Sequence, residues 1–572
     1  WSRTLTRAFL CGVLAWTAAC GDREQEGAQG AGAAGAGEVE RGGTAILAEL
    51  ADINKPMPLL AETVLDGELG NDVFFLALTR GAWRDGRLVN LTAEESPLAL
   101  ARGYEYTGAD STALRYHMRS GLRWSDGRPI TAHDVVWTYQ VLADPEVASP
   151  QQQYTEHLDS VRAENDSTVV FYFDRRYPEM VVHSGLGIAP KHLFEGRAAK
   201  EIRTHPALVD PANGRLVVSG PFKIGAWAKG SQVTLVRNEH SPVPPNLDQV
   251  VIRVIPEATT RLVELQTGRV DFVFPVPHDQ VPRLRAQAPN VRFEELENRQ
   301  YDFVAYNPRG PEAFRDREVR EALGLAIDVQ GIIRALEMQD FATPLGGPYS
   351  PALRDLYDRE RMAPLPYDTA RARRILESKG WRDGNGDGVL DRNGRPFRFT
   401  LLTNSGNPRR RETAEMIQAQ WRRIGVDANI QMMELNSFFD RLQKKDFDAA
   451  LSGWIVGLSP DISPVWARES PNNMVSYDNP RTFALFEQAL SQPTEEQAAR
   501  YWKEAGAQIA ADRPYTFLFS FDQVVGVRER LKGVRVNTYG AYQNMGEWWI
   551  PRAQQREQPA APAARTDTAR KQ

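Results

Sequence analysis

The sequence predicts a mixed α/β protein with more than one lobe, and three observations carry this. At 572 residues the chain exceeds what one hydrophobic core serves, so two or three lobes are expected. Residues 250–273 read as strand, helix and strand in succession, the unit of an α/β fold. Along the rest of the chain, segments of period two and segments of helical period alternate without any internal repeat.

Taken in order, the first twenty residues stand apart. Arg3 and Arg7 precede an apolar run at 8–19, and the small residues Ala18 and Ala19 lead to Cys20, the pattern of a secretion signal too short to span a membrane. Both cysteines, Cys11 and Cys20, fall inside it, so the body holds none to pair, and disulfides and cysteine-ligated metals are excluded. Residues 21–42 are Gly, Ala, Glu and Gln with almost no large apolar side chain, and so read as a flexible tether reaching roughly 25 Å. Residues 553–572, rich in Ala, Pro, Gln and Arg, read as a disordered tail.

In the body, Leu114, Tyr116 and Met118 alternate with Arg115, His117 and Arg119 as a strand with one buried face. Asp126, Gly127 and Pro129 then make a turn, and Thr131 with Asp134 forms a capping box before a helix carrying Val135, Tyr139 and Leu142 on one face. Residues 250–254 form a strand, 257–266 a helix stopped by Gly268, and VDFVF a second strand. Val319, Leu323 and Ala326 share a helix face, and Asp368 caps a helix that stops at Gly380. Ile417, Trp421 and Ile424 line another helix, which ends at Gly425 before the strand VDANIQM.

Composition bounds function. A net charge of −5, with no basic cluster interleaved with aromatics, sets nucleic acid aside. No GxSxG elbow or HExxH motif appears and the eight histidines lack ligand-like spacing, so a binding protein is favoured over an enzyme. A hydrolase would need two of the 74 acidic residues to converge in a cleft.

Several blocks carry a family resemblance. LRYHMRSGLRWSDGRPITAHDV (114–135) resembles the signature of the bacterial extracellular solute-binding proteins of family 5, the dipeptide and oligopeptide binders. SGPFKIGAW (219–227), LQTGRVD (265–271), VAYNPRGPEAFRDREVREALGLAID (304–328), YDTARARRILESKGW (367–381), AEMIQAQWRRIGV (414–426) and DFDAALSGW (446–454) follow in that family's order. The WTAAC segment is similar to a bacterial lipoprotein processing site, with Thr17 where an aliphatic residue is usual; that reading makes Cys20 the lipidated first residue, the alternative being ordinary cleavage near Ala19. The turn and cap account for the 114–135 block as a folding element without any ligand.

The resemblance implies a two-lobed periplasmic-binding-protein fold with an extra small domain and a hinged cleft. It places the first lobe at 43–300 plus 511–552, the extra domain at about 76–211, and the second lobe at 301–510. It implies a monomeric substrate-binding lipoprotein, outside the cytoplasmic membrane, that captures a peptide or peptide-like solute for the permease subunits of an ABC importer. A binder of an oligosaccharide or metal complex, or a cell-surface hydrolase or sensor, is the alternative. In the family's peptide binders the Trp matching Trp454 lines the cleft and an Asp three residues later pairs with the peptide's amino group. Here that residue is Gly457, in GWIVGLSPDIS, which leaves Asp461 or another acid to substitute, with Ser459 between them. Tyr306 and Asn307, and Glu49 and Asp52, match regions near the lobe interface and the cleft edge. No cofactor is expected. Asp383, Asn385, Asp387 and Asp391, with Gly388 at the sixth position, follow the opening of a calcium loop, although Gly394 stands where the bidentate Glu belongs; a structural calcium is the expectation, a plain hairpin turn the alternative.

Overall fold

Two large β-sheets divide the protein, and the chain passes between them twice. The computed structural model describes residues 39–555 except Ala109, Asn213, Gly214 and Leu458; the signal segment, Cys20, and nearly all of the tether and tail lie outside the described residues. No helix among the described residues is long and apolar enough to cross a membrane.

The first sheet has seven strands in the order Val291–Leu296, Gln523–Arg528, Phe272–Val273, Thr44–Glu49, Gln249–Val254, Gln232–Arg237 and Phe222–Ala228. Thr44–Glu49 lies parallel to both Gln249–Val254 and Phe272–Val273, so the strand, helix, strand unit read from the sequence straddles the first strand. Its helix, Ala258–Gln266, is followed by Gly268 at φ +75°, a conformation that favours glycine. Of VDFVF only Phe272 and Val273 pair, and Pro275, which has no N–H to donate, follows at once.

A four-stranded antiparallel sheet, ordered Ala101–Thr107, Ala113–Met118, Thr168–Phe173 and Leu158–Asn165, forms the small extra domain. Leu114, Tyr116 and Met118 are buried as their alternation requires. The helix Ala132–Ala143 begins on the expected capping box of Thr131 and Asp134, and the Asp134 carboxylate also accepts the Lys191 amide at 3.0 Å. Tyr139 and Phe171 belong to the same continuous core as Leu47 and Phe272 of the seven-stranded sheet, so the extra domain is fused to the first lobe.

The second sheet is ordered Ala342–Pro344, Tyr515–Phe521, Gln300–Tyr306, Ala449–Ile455, Arg398–Asn404 and Asp427–Met433. Helices cover both faces. Val304 and Tyr306 pack with Arg317–Leu325, Thr369–Ser378 and Pro408–Arg422 on one side. Tyr301, Phe303 and Ala305 pack with Leu435–Gln443, Pro480–Leu490 and Glu495–Asp512 on the other. Alternate residues of one strand thus feed two separate cores.

The crossings fall between Leu296 and Gln300 and at Asp522. There the Asn298 amide donates to the Asp522 carboxylate at 3.2 Å, and His278 Nε2 meets the Asp522 carbonyl at 2.7 Å. The return crossing expected at 511 is corrected by this: Tyr515–Phe521 pairs with Gln300–Tyr306 and Ala342–Pro344 inside the second sheet. All seven of its residues are buried, so the strand has no polar alternation from which its sheet could be assigned.

Candidate functional site

The strand Ala449–Ile455 enters the site from the second sheet. It pairs with Gln300–Tyr306 along its whole length, but with Arg398–Asn404 only at Ala449 and Ala450. Beyond Ala450 one edge of the strand has no strand neighbour. Trp454, half-buried, stacks on Phe303 at 6.3 Å, and Phe303 lies flat on Tyr515 at 4.0 Å, which holds the indole as a rigid wall. The segment that follows brings Gly457, Ser459 and Asp461 to the same place.

These residues line a cavity of about 530 Å³ between the lobes. From the first lobe and its extra domain come Gly81, Tyr154, Glu156, Glu179, His183 and Tyr539; the second adds Tyr301, Trp466 and Asn472 to the residues already named. The lobes are bridged twice. Ser459 donates its hydroxyl to Glu179, and Arg87 pairs with Asp355 at 2.8 Å. Trp83, in the hairpin of Arg80–Arg84 and Arg87–Leu91, also packs against the second lobe's core.

The electrostatics of the cavity are one-sided. Burial pushes the Glu179 carboxyl up to about 7, the Asp461 charge adds to the rise, and the Ser459 hydroxyl offsets part of it. Burial also raises Asp461, against the pull of Ser463, whose amide donates to Asp461 at 2.7 Å. Glu495, at the start of its helix, is pushed to about 7 by burial and then by the Glu179 charge. His183 Nε2 lies 3.7 Å from Glu179, but burial and neighbouring His157 lower its pKa to about 4, so it stands neutral and supplies no countercharge at pH 7. No Lys or Arg is among the described residues that line the cavity.

Of the residues expected from the sequence, Trp454, Gly457, Ser459 and Asp461 converge here. A Cβ on Gly457 would meet only the Ser459 nitrogen, at 3.8 Å, so neither crowding nor backbone conformation demands glycine. The other four lie elsewhere and hold the fold together. Tyr306 bonds Thr516 at 2.8 Å inside the second core, and Asn307 anchors a turn by donating to the Lys445 and Phe447 carbonyls. Asp52 accepts the Trp227 indole N–H at 3.0 Å and the Gly230 amide at 2.7 Å. Glu49 is buried, takes the Tyr542 hydroxyl, and is pushed up to about 7 by burial. Glu179, Glu156, His183, Tyr301 and Tyr539 were not anticipated.

In the acidic hairpin, Asp383 accepts the Gly386 and Gly388 amides, Asn385 that of Asp387, Asp387 that of Val389, and Asp391 that of Gly384. Its side-chain oxygens thereby tie the loop to itself. Among the described residues no group of three or more His, Cys, Asp or Glu side chains is placed to hold a metal ion.

Two α/β lobes joined by two crossings, with a cavity lined from both, define a solute-binding protein rather than a fold with a site on a single domain. The chain belongs to the bacterial extracellular solute-binding proteins of family 5, whose middle-region model matches residues 93–476. It is 29% identical over 443 residues to the oligopeptide-binding protein AppA of Bacillus subtilis, covering 76% of this chain and 80% of that one. It is 25% identical over 469 residues to heme-binding protein A of Haemophilus influenzae, covering 77% and 82%. The crystal structure of B. subtilis AppA in complex with a nonapeptide superposes with a TM-score of 0.72 at 25% identity, covering 90% of this chain and all of that one.

Proposed function

We propose that this protein captures a peptide or peptide-like solute in the interlobe cavity. On this reading it works as a monomer, held at the outer face of the membrane through a lipid on Cys20, and hands the solute to the permease subunits of an ABC importer. The observation that carries the reading is the cavity itself, lined by both lobes and running along a strand edge that lacks a neighbour beyond Ala450. A ligand touching Trp454 and Asp461 on one side and Tyr154 and Glu179 on the other makes its full set of contacts only when the lobes meet, so binding favours closure. An extended peptide can add its backbone to the open strand edge while its side chains take the space around it. The nonapeptide complex of the AppA relative supports this choice.

The aromatic rings of Tyr154, Tyr301, Trp454, Trp466 and Tyr539 favour a second reading, in which a flat ring or a sugar face stacks in the cavity. Thermal-shift screening of the purified protein separates the two. A peptide at a hundred times its dissociation constant stabilises the folded state by about 2.7 kcal/mol. If peptides of every length leave the midpoint unchanged while a glycan or a metal chelate raises it, the peptide reading fails. The anchor has its own test: Cys20→Ser should move the protein from the membrane fraction to the soluble one, and a variant that stays in the membrane fraction removes the lipid reading.

A further inference from the structure

We infer that the cavity selects a net-cationic solute, with one protonated amine or guanidinium seated between Glu179 of the first lobe and Asp461 of the second. This rests on the capture reading and adds the charge class of the ligand. Four carboxylates gather at the seam: Glu156 and Glu179 from the first lobe, Asp461 and Glu495 from the second. Nothing cationic among the described residues lines the space to answer them. The nearest guanidinium groups are engaged elsewhere. Arg176 lies over the Tyr106 ring at 4.0 Å, while Arg299 donates to the Val456 carbonyl and faces Glu68.

A buried carboxylate without a countercharge is costly, and two that approach each other are worse. The upward shifts of Glu179 and Asp461 report that cost in the empty cavity, and each lists the burial first. Because the acids come from opposite lobes, closing on an empty or neutral-filled cleft brings like charges together. A cation between them reverses the sign of that interaction. Selectivity then lies in the closure step, since the occupant that pays back the repulsion is the one that holds the lobes shut. The Ser459 hydroxyl on Glu179 fixes one carboxylate oxygen, and the Ser463 amide on Asp461 fixes another, so both groups are oriented before the ligand arrives.

The test is calorimetric titration of the full chain at pH 8 with three peptides of equal length, Ala-Ala-Ala, Ala-Lys-Ala and Ala-Glu-Ala, and with an unbranched diamine. The Lys peptide should bind at least tenfold more tightly than the Ala peptide, and the Glu peptide more weakly than either. Glu179→Gln, which keeps an acceptor for Ser459, and Asp461→Asn should each reduce the Lys-over-Ala ratio towards one. Their unliganded melting temperatures at pH 8 should not fall below that of the native protein, which separates a lost cation site from a lost fold. Equal affinities for the Ala and Lys peptides overturn the charge inference and leave peptide capture standing. Binding of the diamine alone, lost in both variants, supports the cation site and overturns peptide capture.

Discussion

Replacing Asp302 by Ala should destabilise the second lobe by about 3–5 kcal/mol, the cost of removing one partner from a buried ion pair. Asp302 sits in the strand Gln300–Tyr306 with no exposed surface. It accepts Nε and Nη2 of Arg409 at 3.0 and 2.9 Å, and Nε and Nη2 of Arg410 at 3.3 and 3.2 Å. Arg410 also donates to Asn404 at 3.0 Å, and Arg409 lies over the Phe521 ring at 4.0 Å. Alanine would leave two guanidinium groups facing a gap. The opposite strand is shaped for this cluster: a Cβ on Gly453 would come within 2.4 Å of both Asp302 Oδ1 and Arg410 Nη2. Because Tyr301 and Trp454 flank these two positions and line the cavity, solute binding should fall with the fold. Urea unfolding followed by tryptophan fluorescence measures the effect. A midpoint within about 1 kcal/mol of the native protein would sink the assignment, since surface substitutions commonly cost no more than that.

The second large effect is a loss of stability as pH rises through neutrality in the ligand-free protein. Burial first, in every case, lifts Glu49, Glu179 and Glu495 to about 7 and Glu68 to about 8. Glu49 faces the Tyr542 hydroxyl and Arg261, while Glu68 faces Asp72, Glu49, Arg299 and the Ala541 amide. Glu179 faces Asp461, Glu156, Ser459 and His183, and Glu495 faces Glu179. Between their ordinary value of 4.5 and these raised values, the folded state holds protons that the unfolded chain has released. Stability therefore declines as pH climbs through that interval. His183 acts in the other direction, because its pKa is lowered from 6.5 to about 4 and its contribution is lost on acidification below 6.5. The interval from pH 6.5 to 8.5 isolates the carboxyls. With about 1 kcal/mol from each, the melting temperature should drop by roughly 2–4 °C across it. A flat or rising profile would contradict the burial of these acids as uncompensated groups. A cationic solute should flatten the decline by holding Glu179 ionised.

The two effects arise at residues of different legibility. Glu49 stood out in the sequence only as a polar residue after the first strand, and its burial against Tyr542 depends on a segment almost five hundred positions away. Tyr306 was expected near the ligand because it ends a strand that does reach the cavity. Period two decides otherwise: Tyr301, five positions earlier, points to the face that lines the cavity, and Tyr306 points to the opposite core. Asn307 and Asp52 were placed near the lobes' meeting edges, where they satisfy backbone and indole N–H groups instead. Glu179 lies in a stretch without any motif, one acid among 74, and only the folding of the extra domain over the cleft singles it out.

What the sequence determined by itself was local and periodic. The capping box at Thr131 and Asp134, the Asp368 cap, the Gly268 stop, the alternation at 114–118 and the strand, helix, strand unit around 250–273 all stand in the fold, because each depends on residues within a few positions of one another. The family blocks extended this to two lobes and to the cavity segment from Trp454 to Asp461. The tertiary structure alone decided where the chain returns to the first lobe, which acids share the cavity and which are sealed beneath it. Those outcomes turn on contacts between residues hundreds of positions apart, and on a burial that no single segment encodes.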